Sequence, residues 1–165
     1  MPNDTIRALI FDYGGVLMRT VDPRPRRDLE RRLELEPGEV YDLVFHSPRW
    51  GEVQQGQIDS ETFWAHVAQG LSLDEGQLAR FRRAFWAGDR LDEDLVNLIR
   101  DLRQKGYRTA LLSNAPSDMR AFLEELEIDD AFEVIVISGE ETVVKPSPQI
   151  YHRTLDRLGV APREA

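Results

Sequence analysis

The sequence predicts an α/β fold with a parallel sheet. Three observations predict it. Short, mainly apolar runs at 6–11, Thr109-Ala110-Leu111-Leu112 and Val134-Ile135-Val136-Ile137 have the length and apolar character of strands buried on both faces. Stretches with apolar residues at helical spacing follow each run. The resulting alternation of strand and helix implies parallel pairing through right-handed crossovers. At 165 residues the chain can bury one good core, or one core and a small accessory bundle.

The first strand comprises Ile6, Ala8, Leu9, Ile10 and Phe11, and it stops at Asp12. Gly14 and Gly15 then allow a sharp turn, and Val16 and Leu17 return to apolar character. After Met18 the pattern becomes helical. Pro23 and Pro25 mark a loop before a charged helix from Arg26 to Leu35, broken by Pro37-Gly38. Val40, Leu43 and Val44 predict a helix from Glu39 to Phe45, ended by Ser47-Pro48, and Arg49 to Gln55 predicts a further short turn of helix. Asp59 or Ser60 caps a helix carrying Phe63, Trp64 and Val67 and ending at Gly70. Ser72-Leu73-Asp74-Glu75 matches a capping box and opens a helix with Leu78, Phe81, Ala84 and Phe85 on one face, ended by Gly88. No strand is predicted between Thr20 and Gly88. This helical insert holds Trp50, Trp64 and Trp86, read as bundle core. Leu91, Leu95, Leu98, Ile99 and Leu102 recur at helical spacing before Gly106, and helices are predicted from Ser117 to Glu127 and from Pro148 to Leu158, with Gly159 as a stop.

Composition narrows the function classes. Apolar residues make up 41% and charged residues 31%, as in a soluble globular protein. The formal net charge of −9 repels a phosphate backbone, so nucleic acid is not an expected partner. No apolar run reaches membrane-spanning length and no signal peptide is visible, so no membrane partner is expected. There is no cysteine, which excludes disulfides, thiolate metal sites and cysteine nucleophiles and fits a cytoplasmic protein. Arg19, Arg24, Arg26, Arg27, Arg31 and Arg32 form a basic stretch, but Asp28, Glu30 and Glu34 interleave with it, so it reads as a solvated helix face rather than an anion-attracting lip.

Asp12, Ser113-Asn114 and Lys145 each lie at or just past the carboxyl end of a predicted strand. In a parallel sheet those ends share one edge, where ligands bind. An unpaired carboxylate is costly in a core strand and belongs at such an edge. There it can act as a nucleophile or hold a metal, the hydroxyl and nearby backbone N–H groups can hold phosphate oxygens, and the lysine can balance the charge of a phosphoryl group.

These residues and their order resemble the haloacid dehalogenase (HAD) superfamily of hydrolases. The similarity rests on Ile10-Phe11-Asp12-Tyr13-Gly14-Gly15-Val16-Leu17, then Leu112-Ser113-Asn114, then Val144-Lys145-Pro146 followed by Ile150-Tyr151. The insert is similar to the small helical cap of one branch, notably at Gly56-Gln57-Ile58-Asp59-Ser60 followed by Phe63-Trp64. The resemblance implies a three-layer Rossmann-like core from residues 1–18 and 89–165, with a helical cap at 19–88. It implies a Mg²⁺-dependent phosphatase of a small phosphorylated metabolite. Asp12 would attack phosphorus and form an aspartyl-phosphate, Ser113 and Asn114 would hold the phosphoryl oxygens, and Lys145 would orient Asp12. Mg²⁺ would sit against the Asp12 carboxylate and the backbone carbonyl of Gly14.

Two departures accompany the resemblance. Phosphatases of the superfamily usually carry a second aspartate, the general acid and base, where this chain has Gly14. Their fourth motif, an acidic pair ending a further strand, would begin just after Pro162-Arg163-Glu164-Ala165. The sequence therefore suggests a fragment of a longer chain, with the first strand left as a sheet edge that a homodimer or domain swap would cover. Two alternatives follow: a non-catalytic regulatory or phosphate-binding domain, and a 2-haloacid dehalogenase, although dehalogenases of the superfamily usually have tyrosine at the Gly14 position. His46, His66 and His152 are read as structural. The substrate is selected by the cap, for which Arg19, Arg49, Trp50 and Trp64 are candidates.

Overall fold

The computed structural model describes residues 5–165. Strand β1 (Ala8–Phe11) pairs in parallel with β4 (Arg108–Ser113), and β4 pairs in parallel with β5 (Val134–Ile137), giving the order β1-β4-β5. The registers Phe11↔Leu111 and Ser113↔Ile137 bring all three strand ends to the same edge.

Period-2 alternation distributes the side chains to two faces. Leu111 and Ile137 point to one face, where they meet Val96 and Ile99 of α6 (Glu93–Gln104) and Met119 and Leu123 of α7 (Met119–Glu125). Ala8, Ala110, Leu112 and Val136 point to the other, against Ile150, Leu155 and Leu158 of α9 (Pro148–Leu158). Helices on both faces explain why these strands read as continuous apolar runs. Strand β1 is at the sheet edge, as the sequence predicts. Arg7 N–H, just before it, donates to Glu164 O at 2.7 Å.

The insert comprises α1 (Arg24–Arg32), α2 (Glu39–Phe45), α3 (Pro48–Gln54), α4 (Ser60–Gly70) and α5 (Glu75–Trp86). It has its own core of Leu29, Val40, Val44, Val53, Phe63, Trp64, Val67, Phe81 and Phe85. Trp64 is buried there and Trp50 packs edge-on against Phe63 and Phe45, whereas Trp86 is exposed. Asp59 caps α4 by accepting from Thr62 N–H.

Several local expectations are corrected. The capping box of α5 is Asp74 with Gln77, not Ser72 with Glu75, because Ser72 has φ of 54° and the chain enters the helix only afterwards. Helix α1 takes in Pro25, since proline lacks only an N–H that the first turn leaves free anyway. A short α8 (Ser138–Glu141) follows β5 directly. Two short strands were not expected. β2 (Met18–Thr20) pairs antiparallel with β3 (Asp89–Leu91) and joins the ends of the insert. Gly88 makes this junction possible, because a Cβ there would sit 1.9 Å from Asp22 O.

The basic stretch is also reorganised. Arg19 pairs with Asp92, Arg24 with Asp22 and Arg31 with Asp28. Arg26 is largely shielded from solvent. Its guanidinium, 12% exposed, meets the Asp89 carboxylate at 2.8 and 3.0 Å, donates to Phe85 O and Thr20 Oγ1, and lies 4.4 Å from the Phe85 ring.

Candidate active site

The site is built on the turn after β1. Tyr13 O accepts from the N–H groups of Val16, Leu17 and Met18, and Gly15 N–H donates to Met18 O. Gly15 has φ of 77°, a region that favours glycine. This tight turn leaves Asp12 at the strand's end with its side chain 41% exposed. Tyr13 N–H donates to Asp12 Oδ1 at 2.8 Å, and Lys145 Nζ lies 2.7 Å from Asp12 Oδ2. The carboxylate is thus held at both oxygens yet open to a ligand.

Lys145 is held in turn. Its ammonium also donates to Leu112 O at 3.0 Å, at the end of β4. Its peptide is gripped by Asn114, whose Nδ2 donates to Lys145 O at 3.0 Å while Oδ1 accepts from Lys145 N–H at 2.8 Å. Both polar atoms of the Asn114 side chain therefore face the Lys145 backbone. The neighbouring Ser113 is buried at the end of β4, and its hydroxyl has no hydrogen-bond partner among the described residues.

The structure thus brings Asp12, Ser113, Asn114 and Lys145 to one sheet edge, as their strand-end positions predict. Gly14 also lies in this turn. The bridge between Gly14 and Met18 runs through Tyr13 O and Gly15 N, so it leaves the Gly14 carbonyl uncommitted. Tyr13 points away into the core against Phe122, and its hydroxyl has no partner among the described residues. Burial, with help from the Asp89 charge, pushes its phenol well above the usual range, so Tyr13 is no proton source here.

Three further residues shape the site without having drawn attention in the sequence. Ser138 Oγ accepts from Ala115 N–H at 3.0 Å, and Gly139 N–H donates to Ala115 O at 3.0 Å, which fastens α8 to the turn after β4. Gln54, the last residue of α3, donates from Nε2 to Asn114 O at 3.0 Å. A glutamine in a polar helical stretch carries no sequence signal for such a contact. Of the proposed pocket residues, Arg19 pairs with Asp92, Arg49 with Glu52, and Trp64 is buried.

Asp12 offers an exposed carboxylate and Gly14 a carbonyl, both hard oxygen donors. Among the described residues no cluster of three acidic or imidazole side chains forms a fuller cage. The set fits Mg²⁺, which typically uses one or two carboxylates and completes its shell with water and substrate phosphate.

Residues 6–165 match the family of haloacid dehalogenase-like hydrolases. The chain belongs to that family. It is 33% identical over 183 residues to N-acylneuraminate-9-phosphatase of Rattus norvegicus, covering 95% of this chain and 71% of the relative. It is also 33% identical over 172 residues to (S)-2-haloacid dehalogenase 1 of Pseudomonas sp., covering 98% and 74%. Among solved structures, a HAD family enzyme of Bacteroides thetaiotaomicron, in complex with magnesium and inorganic phosphate, superposes with a TM-score of 0.75 at 21% identity, over 96% of this chain and 82% of that one. This HAD-like hydrolase therefore has phosphatases and dehalogenases among its relatives. Among the described residues no helix is long and apolar enough to cross a membrane.

Proposed function

We propose that this HAD-like hydrolase is a Mg²⁺-dependent phosphatase of small phosphorylated metabolites, working through an aspartyl-phosphate at Asp12. The observation that carries the reading is the Asp12 carboxylate, held open between Tyr13 N–H and the Lys145 ammonium at the sheet edge that also carries Ser113. In the first step an Asp12 carboxylate oxygen bonds to phosphorus and the P–O bond to the leaving alcohol breaks. Gly14 has no side chain to protonate that oxygen, so the proton comes from solvent. In the second step water attacks phosphorus, the acyl-phosphate P–O bond breaks, and Asp12 is regenerated with release of inorganic phosphate. The Ser113 hydroxyl and the N–H groups of the turn after Asp12 hold phosphoryl oxygens. Lys145 orients the Asp12 carboxylate and offsets the phosphoryl charge. Asn114 acts by holding Lys145. Asp12 and the Gly14 carbonyl would hold Mg²⁺, which supplies charge neutralisation and orientation of the phosphoryl group when bound. The helical segment at 19–88 serves as a cap and residues 1–18 and 89–165 as the core. A second copy of the chain covers the β1 edge.

The test is hydrolysis of an aryl phosphate with and without Mg²⁺. Wild type turns over only with Mg²⁺, and Asp12→Asn loses at least ~10³-fold. Absence of Mg²⁺-dependent turnover in the wild type overturns the reading and leaves a non-catalytic phosphate-binding domain. The equal identity to a haloacid dehalogenase favours one second reading, attack of the same carboxylate on carbon. It is tested by halide release from (S)-2-chloropropionate, and none is expected because Gly14 stands where those enzymes usually have tyrosine.

A further inference from the structure

A continuous chain of hydrogen bonds runs from the helical insert to the Asp12 carboxylate. It begins at Gln54 Nε2, which donates to Asn114 O at 3.0 Å. The Asn114 side chain grips the Lys145 peptide at both N–H and C=O, at 2.8 and 3.0 Å. Lys145 Nζ then meets Asp12 Oδ2 at 2.7 Å. We propose that Gln54 is a positioning residue, tying the seating of the insert to the placement of Lys145 against Asp12. The inference rests on Asp12 and Lys145 being the reacting pair described above.

Two observations support it. First, Gln54 reaches the backbone oxygen of the one residue that holds Lys145 by two hydrogen bonds, so displacing that carbonyl moves the whole grip. Second, a close backbone approach seats the insert here beside that bond. Gly56, two residues on, has φ of 67°, and a Cβ on it would lie 2.2 Å from Gly139 O. Gly139 is itself fastened to Ala115 O, the residue after Asn114. The turn at Asn114 and Ala115 is therefore clasped between the end of α3 on one side and α8 on the other. The bond is half-buried, and a net hydrogen bond adds only modestly to stability, so its main contribution is geometry.

The sequence supplies a direct reporter, since Lys105 and Lys145 are its only lysines. Lys105 is exposed and remote from the site in sequence and fold. Lysine labelled with ¹³C at Cε gives two resonances in the 165-residue chain, assigned by loss of one in Lys145→Arg. Asp12→Asn moves the Lys145 resonance and proves that it reports the ion pair. Gln54→Leu keeps the side chain's bulk and removes the donor. The expected result is a shift of the Lys145 resonance toward that of Lys105, with Lys105 unmoved and the thermal midpoint within a few degrees of wild type. Gly56→Ala, which blocks seating through the backbone, shifts Lys145 in the same direction. A Lys145 resonance unmoved by Gln54→Leu but moved by Asp12→Asn overturns the proposal, whatever Gly56→Ala does. Because this readout needs no turnover, it stands or falls separately from phosphatase activity. Where turnover is present, Gln54→Leu lowers kcat by about tenfold and leaves KM within about twofold, the pattern of lost transition-state positioning.

Discussion

At the residue scale, the proposed phosphatase carries glycine two positions after Asp12. Gly14 does not have positive φ, and a Cβ there would meet nothing within 4 Å. The turn therefore tolerates a side chain that the sequence omits, and its conformation is carried by Gly15 instead. Gly14→Asp should fold and restore a proton donor. We expect it to raise hydrolysis of an alkyl phosphate by ~10²-fold, and that of an aryl phosphate much less, since general acid help is worth ~10²–10⁴-fold only where the leaving group needs a proton. Steady-state rates on the two esters check this. The strand-end placement of Asp12 and Ser113 was legible in the sequence because such patterning is local. The grip of Asn114 on Lys145 was not, because it joins residues 31 apart through backbone atoms that no side-chain pattern encodes.

At the element scale, two charge clusters have consequences that stability measurements read. The Arg26–Asp89 pair joins α1 to β3 across the stem of the insert, with Arg26 12% and Asp89 9% exposed. Removing one partner of a buried pair leaves the other charge uncompensated. Arg26→Met should therefore cost about 3 kcal/mol in denaturant unfolding, despite keeping much of the packing on Phe85. Composition alone suggested a solvated arginine-rich helix. Arg26 departs from that because β2 and β3 bring Thr20 and Asp89 within its reach, and neither strand is long enough to show in an apolar pattern. Glu141 in α8 is the second case. Burial alone would push its carboxyl up, but hydrogen bonds from Arg157 and Arg153 outweigh this and hold it below its ordinary value of 4.5. A carboxyl lowered in the folded state adds stability that is full above that ordinary value and is lost as pH falls through the folded value. The gap in thermal midpoint between wild type and Glu141→Gln should favour wild type at pH 7 and shrink on acidification toward pH 3.

At the scale of the whole molecule, the sheet's order leaves β1 at an edge, and the helical segment builds a core separate from those on the two faces of the sheet. An apolar edge offers unpaired N–H and C=O groups to another strand. Light scattering across a range of concentrations should show self-association toward twice the 19.0 kDa of one chain. A constant mass of one chain would remove the proposed pairing. By itself the sequence determined the α/β class, the parallel order of strands and helices, the insert, and the placement of Asp12 and Ser113 at strand ends. All of these follow from hydrophobic periodicity and from the cost of burying a charge, which act on neighbours in the chain. Only the tertiary structure decided that Arg26 is paired with Asp89 and largely shielded, that Asn114 grips Lys145, and that Gln54 reaches the site from the insert. Each depends on a hydrogen bond to a distant backbone atom or an ion pair across elements, and such contacts exist only once the chain has folded.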